Sequence, residues 1–124
     1  MIKICIFGRG KIGKIIEKCL DYSVVELVSF LDNGEFGADE GNVPVIKPEC
    51  INTMDVDYIL VSSVRYQSEM NNQLIELGVP KEKIISAYFE EEDMPLLMDI
   101  FTCKGVSYIF YSKNQRHTES KIKE

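Results

Sequence analysis

One hexapeptide restricts this chain more than any other: Gly8-Arg9-Gly10-Lys11-Ile12-Gly13, a G-x-G-x-x-G set between two segments of different periodicity. Before it, residues 2–7 are almost continuously apolar, as in a strand covered on both faces of a parallel sheet. After it, Ile12, Ile15, Ile16, Cys19 and Leu20 follow the i, i+3, i+4, i+7, i+8 spacing of an amphipathic helix. In such a strand-to-helix turn the first glycine permits the tight reversal, the second lets backbone approach a diphosphate, and the third lets helix pack closely on strand. The helix start then offers N–H groups and a partial positive charge to an anion. Arg9 and Lys11 project from the turn and Lys14 follows one turn on, a locally basic rim in a chain whose 14 Lys and Arg face 20 Asp and Glu, net −6. Gly8, Arg9, Gly10, Lys11, Ile12 and Gly13 are therefore candidate phosphate-binding residues. The competing reading is that the glycines serve close packing alone.

The pattern repeats downstream. Residues 24–31 are β-branched and aromatic and end in the turn signal Asp32-Asn33-Gly34, which completes a βαβ unit. Residues 32–50 read as a surface loop carrying one short strand at 43–46. Residues 57–61 form another apolar run, followed by Ser62-Ser63 and a helix with Tyr66, Met70, Leu74 and Leu77 on one face. Gly78 and Pro80 stop that helix, and residues 84–89 supply the last parallel strand. This alternation predicts an α/β fold, an open, mainly parallel twisted sheet with helices on both faces. Glu90-Glu91-Glu92-Asp93 precedes a further helical pattern (Leu97, Met98, Phe101) and reads as a capping run. Residues 106–111 are a last strand candidate, so one domain is expected over 1–111, with a polar, frayed tail over 112–124. The apolar residues Leu96, Leu97, Met98, Ile100 and Phe101, then Val106, Tyr108, Ile109, Phe110 and Tyr111, exceed what one short helix and one edge strand hide. A homodimer is expected to cover them; the alternative is that they complete the monomer's own core.

Composition narrows the function. With 45% hydrophobic and 27% charged residues the chain is globular, and its acidity argues against a nucleic-acid partner. No apolar run approaches the roughly 20 residues that span a bilayer, and the N-terminus lacks a signal-type basic start and cleavage site, so the cytoplasm is the expected compartment. Cys5, Cys19, Cys50 and Cys103 are scattered and His117 is the only histidine, which excludes zinc spacing and a disulfide framework. Asp32 stands 19 residues after Gly13. A carboxylate about 20 residues on can accept the ribose hydroxyl protons and would repel a 2′-phosphate, favouring NAD over NADP. Asp32 and its neighbour Asn33 are thus candidate ribose contacts, although the same residues make a turn by Asx chemistry, and the two readings are compatible. Ser62 and Ser63 lie past the carboxyl end of a strand, where their hydroxyls can meet a phosphate or sugar or cap a helix. Arg65 adjoins them, but an arginine on a helix's first turn is ordinarily solvated, and it is set aside. No nucleophile elbow or placed histidine supports hydrolysis. No tyrosine is followed four residues on by lysine, so the Tyr-x-x-x-Lys proton-transfer pair of short-chain dehydrogenases and sugar-nucleotide epimerases is absent. No catalytic residue is assigned.

Ile4-Cys5-Ile6-Phe7-Gly8-Arg9-Gly10-Lys11-Ile12-Gly13 and Val28-Ser29-Phe30-Leu31-Asp32-Asn33 are followed by Gly41-Asn42-Val43-Pro44-Val45 and Asp57-Tyr58-Ile59-Leu60-Val61-Ser62-Ser63. The last block runs from Gln73 through Gly78 to Ile85. In this order the blocks resemble the small Rossmann-type nucleotide-binding domains of bacterial surface-carbohydrate biosynthesis. Those domains are akin to nucleoside-diphosphate-sugar epimerases and dehydratases, and also stand at the N-terminus of sugar acyltransferases. The resemblance covers about residues 1–89. It implies binding of a nucleotide, either a UDP-sugar or NAD, with the glycine turn on the phosphates and Asp32 near the ribose or base, in the service of a carbohydrate-biosynthesis enzyme. It does not imply catalysis. Two alternatives stay open: an NAD(P)-dependent sugar-nucleotide oxidoreductase or epimerase fragment, and a non-binding scaffold used for dimerisation.

Overall fold

The computed structural model describes residues 1–34, 39–40, 43–63, 65–86, 88–89, 99–101 and 111–112, by backbone alone at 39–40, 88–89 and 111–112. Strand β1 (Ile2–Phe7) leads through the glycine turn into α1 (Lys11–Cys19), and β2 (Val25–Leu31) returns parallel to β1. A two-residue strand β3 (Asp39–Glu40) pairs antiparallel with β4 (Val43–Ile46), which lies parallel to β2. A 3-10 turn (Pro48–Thr53) crosses back to β5 (Tyr58–Val61) on the other side of β1. Helix α2 (Gln67–Glu76) and β6 (Ile84–Ser86) complete a sheet of order β3-β4-β2-β1-β5-β6. Five parallel strands with helical cover on both faces make this a Rossmann-like α/β fold. The strand order reverses between β1 and β5, and open sheets bind ligands outside the carboxyl ends of the strands at that switch point.

Strand periodicity sorts the core into two layers. Ile4 and Ile6 of β1, Phe30 of β2 and Leu60 of β5 face α1 and pack with Ile16, Cys19 and Leu20. Cys5, Phe7, Leu31, Ile59 and Val61 face the other way, onto Ile51 of the 3-10 turn and Leu74 of α2. Cys5 and Cys19 are thus core residues, as their positions in the sequence suggested. Burial pushes the Cys5 thiol up, with the Ser29 hydroxyl 3.2 Å away opposing the shift. One irregularity had no sequence signal. Ile4 pairs with Leu27 but Cys5 pairs with Ser29, so β2 bulges at Val28.

Helix α2 ends as its sequence requires. Gly78 adopts φ +93°, its N–H donates to the Ile75 carbonyl at 3.0 Å, and the Val79 N–H donates to the Leu74 carbonyl at 3.0 Å. That is the Schellman arrangement. The expected strand over 84–89 is shorter in the main sheet: β5 supplies pairing partners only as far as Val61, opposite Ser86. Beyond this the chain leaves the sheet, and β7 (Tyr88–Phe89) pairs in parallel with β8 (Tyr111–Ser112).

Of the apolar residues assigned to a dimer patch, Ile100 and Phe101 are buried within the chain itself, in the α1-side core. The Asp21 N–H donates to the Ile100 carbonyl at 2.8 Å, and Phe101 forms an antiparallel bridge with Leu20. The side chains of the other patch residues, the acidic run 90–93 and the tail from 113 onward lie outside the described residues. Among the described residues no helix is long and apolar enough to cross a membrane.

Candidate functional site

The three glycines of the turn answer three different demands. Gly8 has φ +101°, a left-handed conformation that side chains rarely adopt, and a Cβ there would lie 2.5 Å from Ser62 Oγ. Gly13 sits in the first turn of α1, where a Cβ would collide with the Gly8 carbonyl oxygen, so only glycine lets the helix dock this closely on the turn. Gly10 is different. Its backbone is extended, φ −77° and ψ −159°, which any residue adopts, and a Cβ would meet nothing within 4 Å among the described residues. Neither the backbone angle nor packing among the described residues requires glycine at Gly10.

Gly10 is also the N-cap of α1 and provides no side-chain cap, and the first turn of the helix holds no acidic residue. The first N–H groups of a helix have no intrahelical acceptor, so the positive end of α1 opens onto the space beside Gly10 with no carboxylate in its own first turn to offset it. Lys11 and Lys14 are exposed on this end and Arg9 is half-buried. Ile12 contributes its backbone only, because its side chain packs on the α1-side core.

Around this turn the other candidates fall into distinct roles. Ser62 is buried; its hydroxyl donates to the Phe7 carbonyl at 2.8 Å and lies 3.2 Å from the Gly8 carbonyl. It ties the end of β5 to the glycine turn and so positions the turn. Ser63 is a helix-start residue, its Oγ accepting the Tyr66 N–H at 2.9 Å. Asp32 leaves the end of β2 on the same edge, and its Oδ1 accepts the Gly34 N–H at 2.8 Å. This is the Asx turn foreseen as one of its two compatible roles. Asn33 forms a reciprocal amide pair with Gln73 of α2, at 3.0 and 2.8 Å, which fixes the β2 loop against that helix.

Met70, beneath the turn, and Tyr66, at the start of α2, were not singled out from the sequence as site residues. Met70 of α2 approaches from below, its Cε 3.5 Å from where a Gly8 Cβ would stand. Tyr66 precedes it by one helical turn, with Arg65 over its ring. The sequence signal for both was the α2 stripe itself, which reads as core.

The family model described as C2185-like, N-terminal, matches residues 1–85, a span that includes the glycine turn, Asp32 and the β5–α2 connection. Among curated proteins no match is found. Seven chains of solved structures match. One of them, UDP-D-quinovosamine 4-dehydrogenase from Vibrio fischeri, superposes with a TM-score of 0.51 at 12% identity, over 85% of this chain and 97% of that one. At this identity the likeness is one of fold.

Proposed function

The chain belongs to the C2185-like N-terminal domain family, and on that premise we propose that it is a nucleotide-binding module for a nucleoside diphosphate derivative. Its ligand is a nucleotide sugar of the UDP-sugar kind or NAD, and it serves an enzyme of carbohydrate biosynthesis without supplying catalytic residues. One observation carries this reading. Gly8 and Gly13 are explained by the fold, whereas no contact among the described residues requires a glycine at Gly10, and a ligand that needs the space beside the N-terminus of α1 accounts for it. A diphosphate fits that description, because it is anionic and is held by backbone N–H groups at close range. Asp32 on the neighbouring strand end supports a ribose next to the diphosphate and opposes a 2′-phosphate. The nucleotide-sugar class draws support from the structural neighbour, which is named for a UDP-sugar.

A thermal-shift panel of UDP-sugars, NAD, NADH, NADP and coenzyme A tests the reading. A ligand at 100 times its Kd adds about 2.7 kcal/mol, roughly 10 °C in Tm for a domain of this size. A shift with a UDP-sugar or NAD, and none with NADP, is the expected result. If no member of the panel raises Tm, the turn does not serve as a nucleotide site.

A further inference from the structure

Helix α2 runs down from the carboxyl edge of the sheet, and its core-facing stripe emerges at that edge. Leu74 is fully buried against the sheet, Met70 one turn above it is half-buried beneath Gly8, and Tyr66 one turn above Met70 is 54% exposed. Tyr66 is the N-cap of α2, φ −109° and ψ 19°, and its carbonyl accepts the Met70 N–H at 3.0 Å, which sets it one turn before Met70 at the start of the helix. Met70 is the residue of this helix that meets the glycine turn, its Cε 3.5 Å from where a Gly8 Cβ would stand. A large aromatic at the start of α2, a few residues past the carboxyl end of β5 and left half in solvent, is surface the described residues do not cover. Arg65 lies over this ring, its guanidinium carbon 5.4 Å from the centroid, and the Ser63 cap holds the turn that carries both. A guanidinium on one face of a ring leaves the other face available for stacking.

Taking the diphosphate reading as its premise, we propose that Tyr66, held by Arg65, is the platform for the ring that the ligand carries beyond its diphosphate. The switch point sets the direction. From a diphosphate on the glycine turn, one arm of the ligand runs over β2 toward Asp32 and the other over β5 toward Ser63, Arg65 and Tyr66. The β5 side offers an aromatic face, a guanidinium and a hydroxyl. This set suits a ring that offers one face for stacking and carries hydrogen-bonding groups, whether the C–H face of a nucleotide sugar's pyranose or the planar nicotinamide of NAD. Arg65 and Tyr66 thereby determine which of these the module prefers.

Calorimetric titration of the full chain separates the possibilities, with UDP against UDP-N-acetylglucosamine and ADP against NAD. The account predicts that in one pair the longer ligand binds wild type at least tenfold tighter than its nucleoside diphosphate, and the pair identifies the ring. Tyr66→Ala should abolish that advantage, a tenfold loss equal to 1.4 kcal/mol, while leaving the affinity for the diphosphate unchanged. Tyr66→Phe, which keeps the ring face, should retain it. The proposal is overturned if wild type binds both members of each pair equally, if Tyr66→Ala leaves the advantage intact, or if it weakens both members alike. Gly10→Asp distinguishes the two levels: binding lost in Gly10→Asp but untouched in Tyr66→Ala removes only the platform. Binding absent in wild type, or unchanged in Gly10→Asp, removes the diphosphate reading and this proposal together.

Discussion

Gly13→Ala isolates the steric demand that docks α1 on the turn. The added methyl would meet the Gly8 carbonyl, with its carbon 3.1 Å and Ser62 Oγ 3.3 Å away. The obstacle is backbone, held from behind by the Ser62 hydroxyl at the Gly8 and Phe7 carbonyls, and it cannot swing aside as a flexible side chain would. Overpacking of this kind costs about 1–3 kcal/mol. Against it stands the helix preference of alanine over glycine, about 1 kcal/mol at most. With an unyielding neighbour the steric term stands at the upper end of that range, about 3 kcal/mol, and the expected net loss is about 2 kcal/mol, or roughly 8 °C in Tm. Gly78→Ala is the calibrating partner: among the described residues nothing lies within 4 Å of its Cβ position, so its effect comes from φ +93° and should be about 1 kcal/mol. Urea unfolding followed by circular dichroism measures both. If Gly13→Ala is as stable as wild type or more so, α1 does not press on the turn, and the explanation of the third glycine is wrong.

Three further outcomes follow from the core and the caps. Phe101→Ala should cost about 3 kcal/mol, because Phe101 packs in the α1-side core of a single chain; a loss below about 1 kcal/mol in urea unfolding would show the segment is not docked there. Ser62→Ala should cost about 1 kcal/mol, toward the low end because the Phe7 carbonyl keeps the Ser62 N–H at 3.1 Å; no change in the urea midpoint would remove its positioning role. Asp21 accepts the Ser23 hydroxyl at 2.6 Å and the Ser23 N–H at 3.0 Å, which together hold its carboxyl below the ordinary 3.8. Its lowered value means the stabilisation is present above 3.8 and is lost as pH falls through the folded value. The stability gap between wild type and Asp21→Ala should therefore be open at pH 7 and close in acid. A gap that widened as the pH fell would contradict the assignment.

Much of the fold was legible because it rests on periodicity. The continuous apolar run of β1 and the helical spacing from Ile12 each have one structural solution in a parallel sheet, and Gly78 with Pro80 marked the end of α2. The strand over 84–89 was read too long because apolarity continues past the point where β5 has partners to give, and partner length is a tertiary fact. The bulge at Val28 has no sequence signature for the same reason. In the site, glycine spacing located the turn but could not say which glycine the fold explains. That distinction needs the neighbours of each Cβ, and it turns a motif into an argument about Gly10. Ser62 was placed on the right edge, yet whether a hydroxyl faces ligand or backbone depends on the strand next to it. Tyr66 read as core because it continues the Met70–Leu74 stripe; only the height of α2 against the sheet brings it out at the rim.

The central claim is that Gly10 is kept for a ligand rather than for the fold, and Gly10→Asp tests it most directly. Aspartate is a favoured N-cap, and a negative charge at a helix start is stabilising by about 0.3–1 kcal/mol. With an extended backbone and no neighbour within 4 Å among the described residues at this position, the variant should fold with a Tm equal to or above that of wild type. The same side chain puts volume and negative charge where the diphosphate would sit. Calorimetric titration with UDP-N-acetylglucosamine and NAD, alongside thermal melts of both proteins, should therefore show a variant at least as stable that binds neither ligand, while wild type binds one. A variant that binds the wild-type ligand with undiminished affinity would contradict the account.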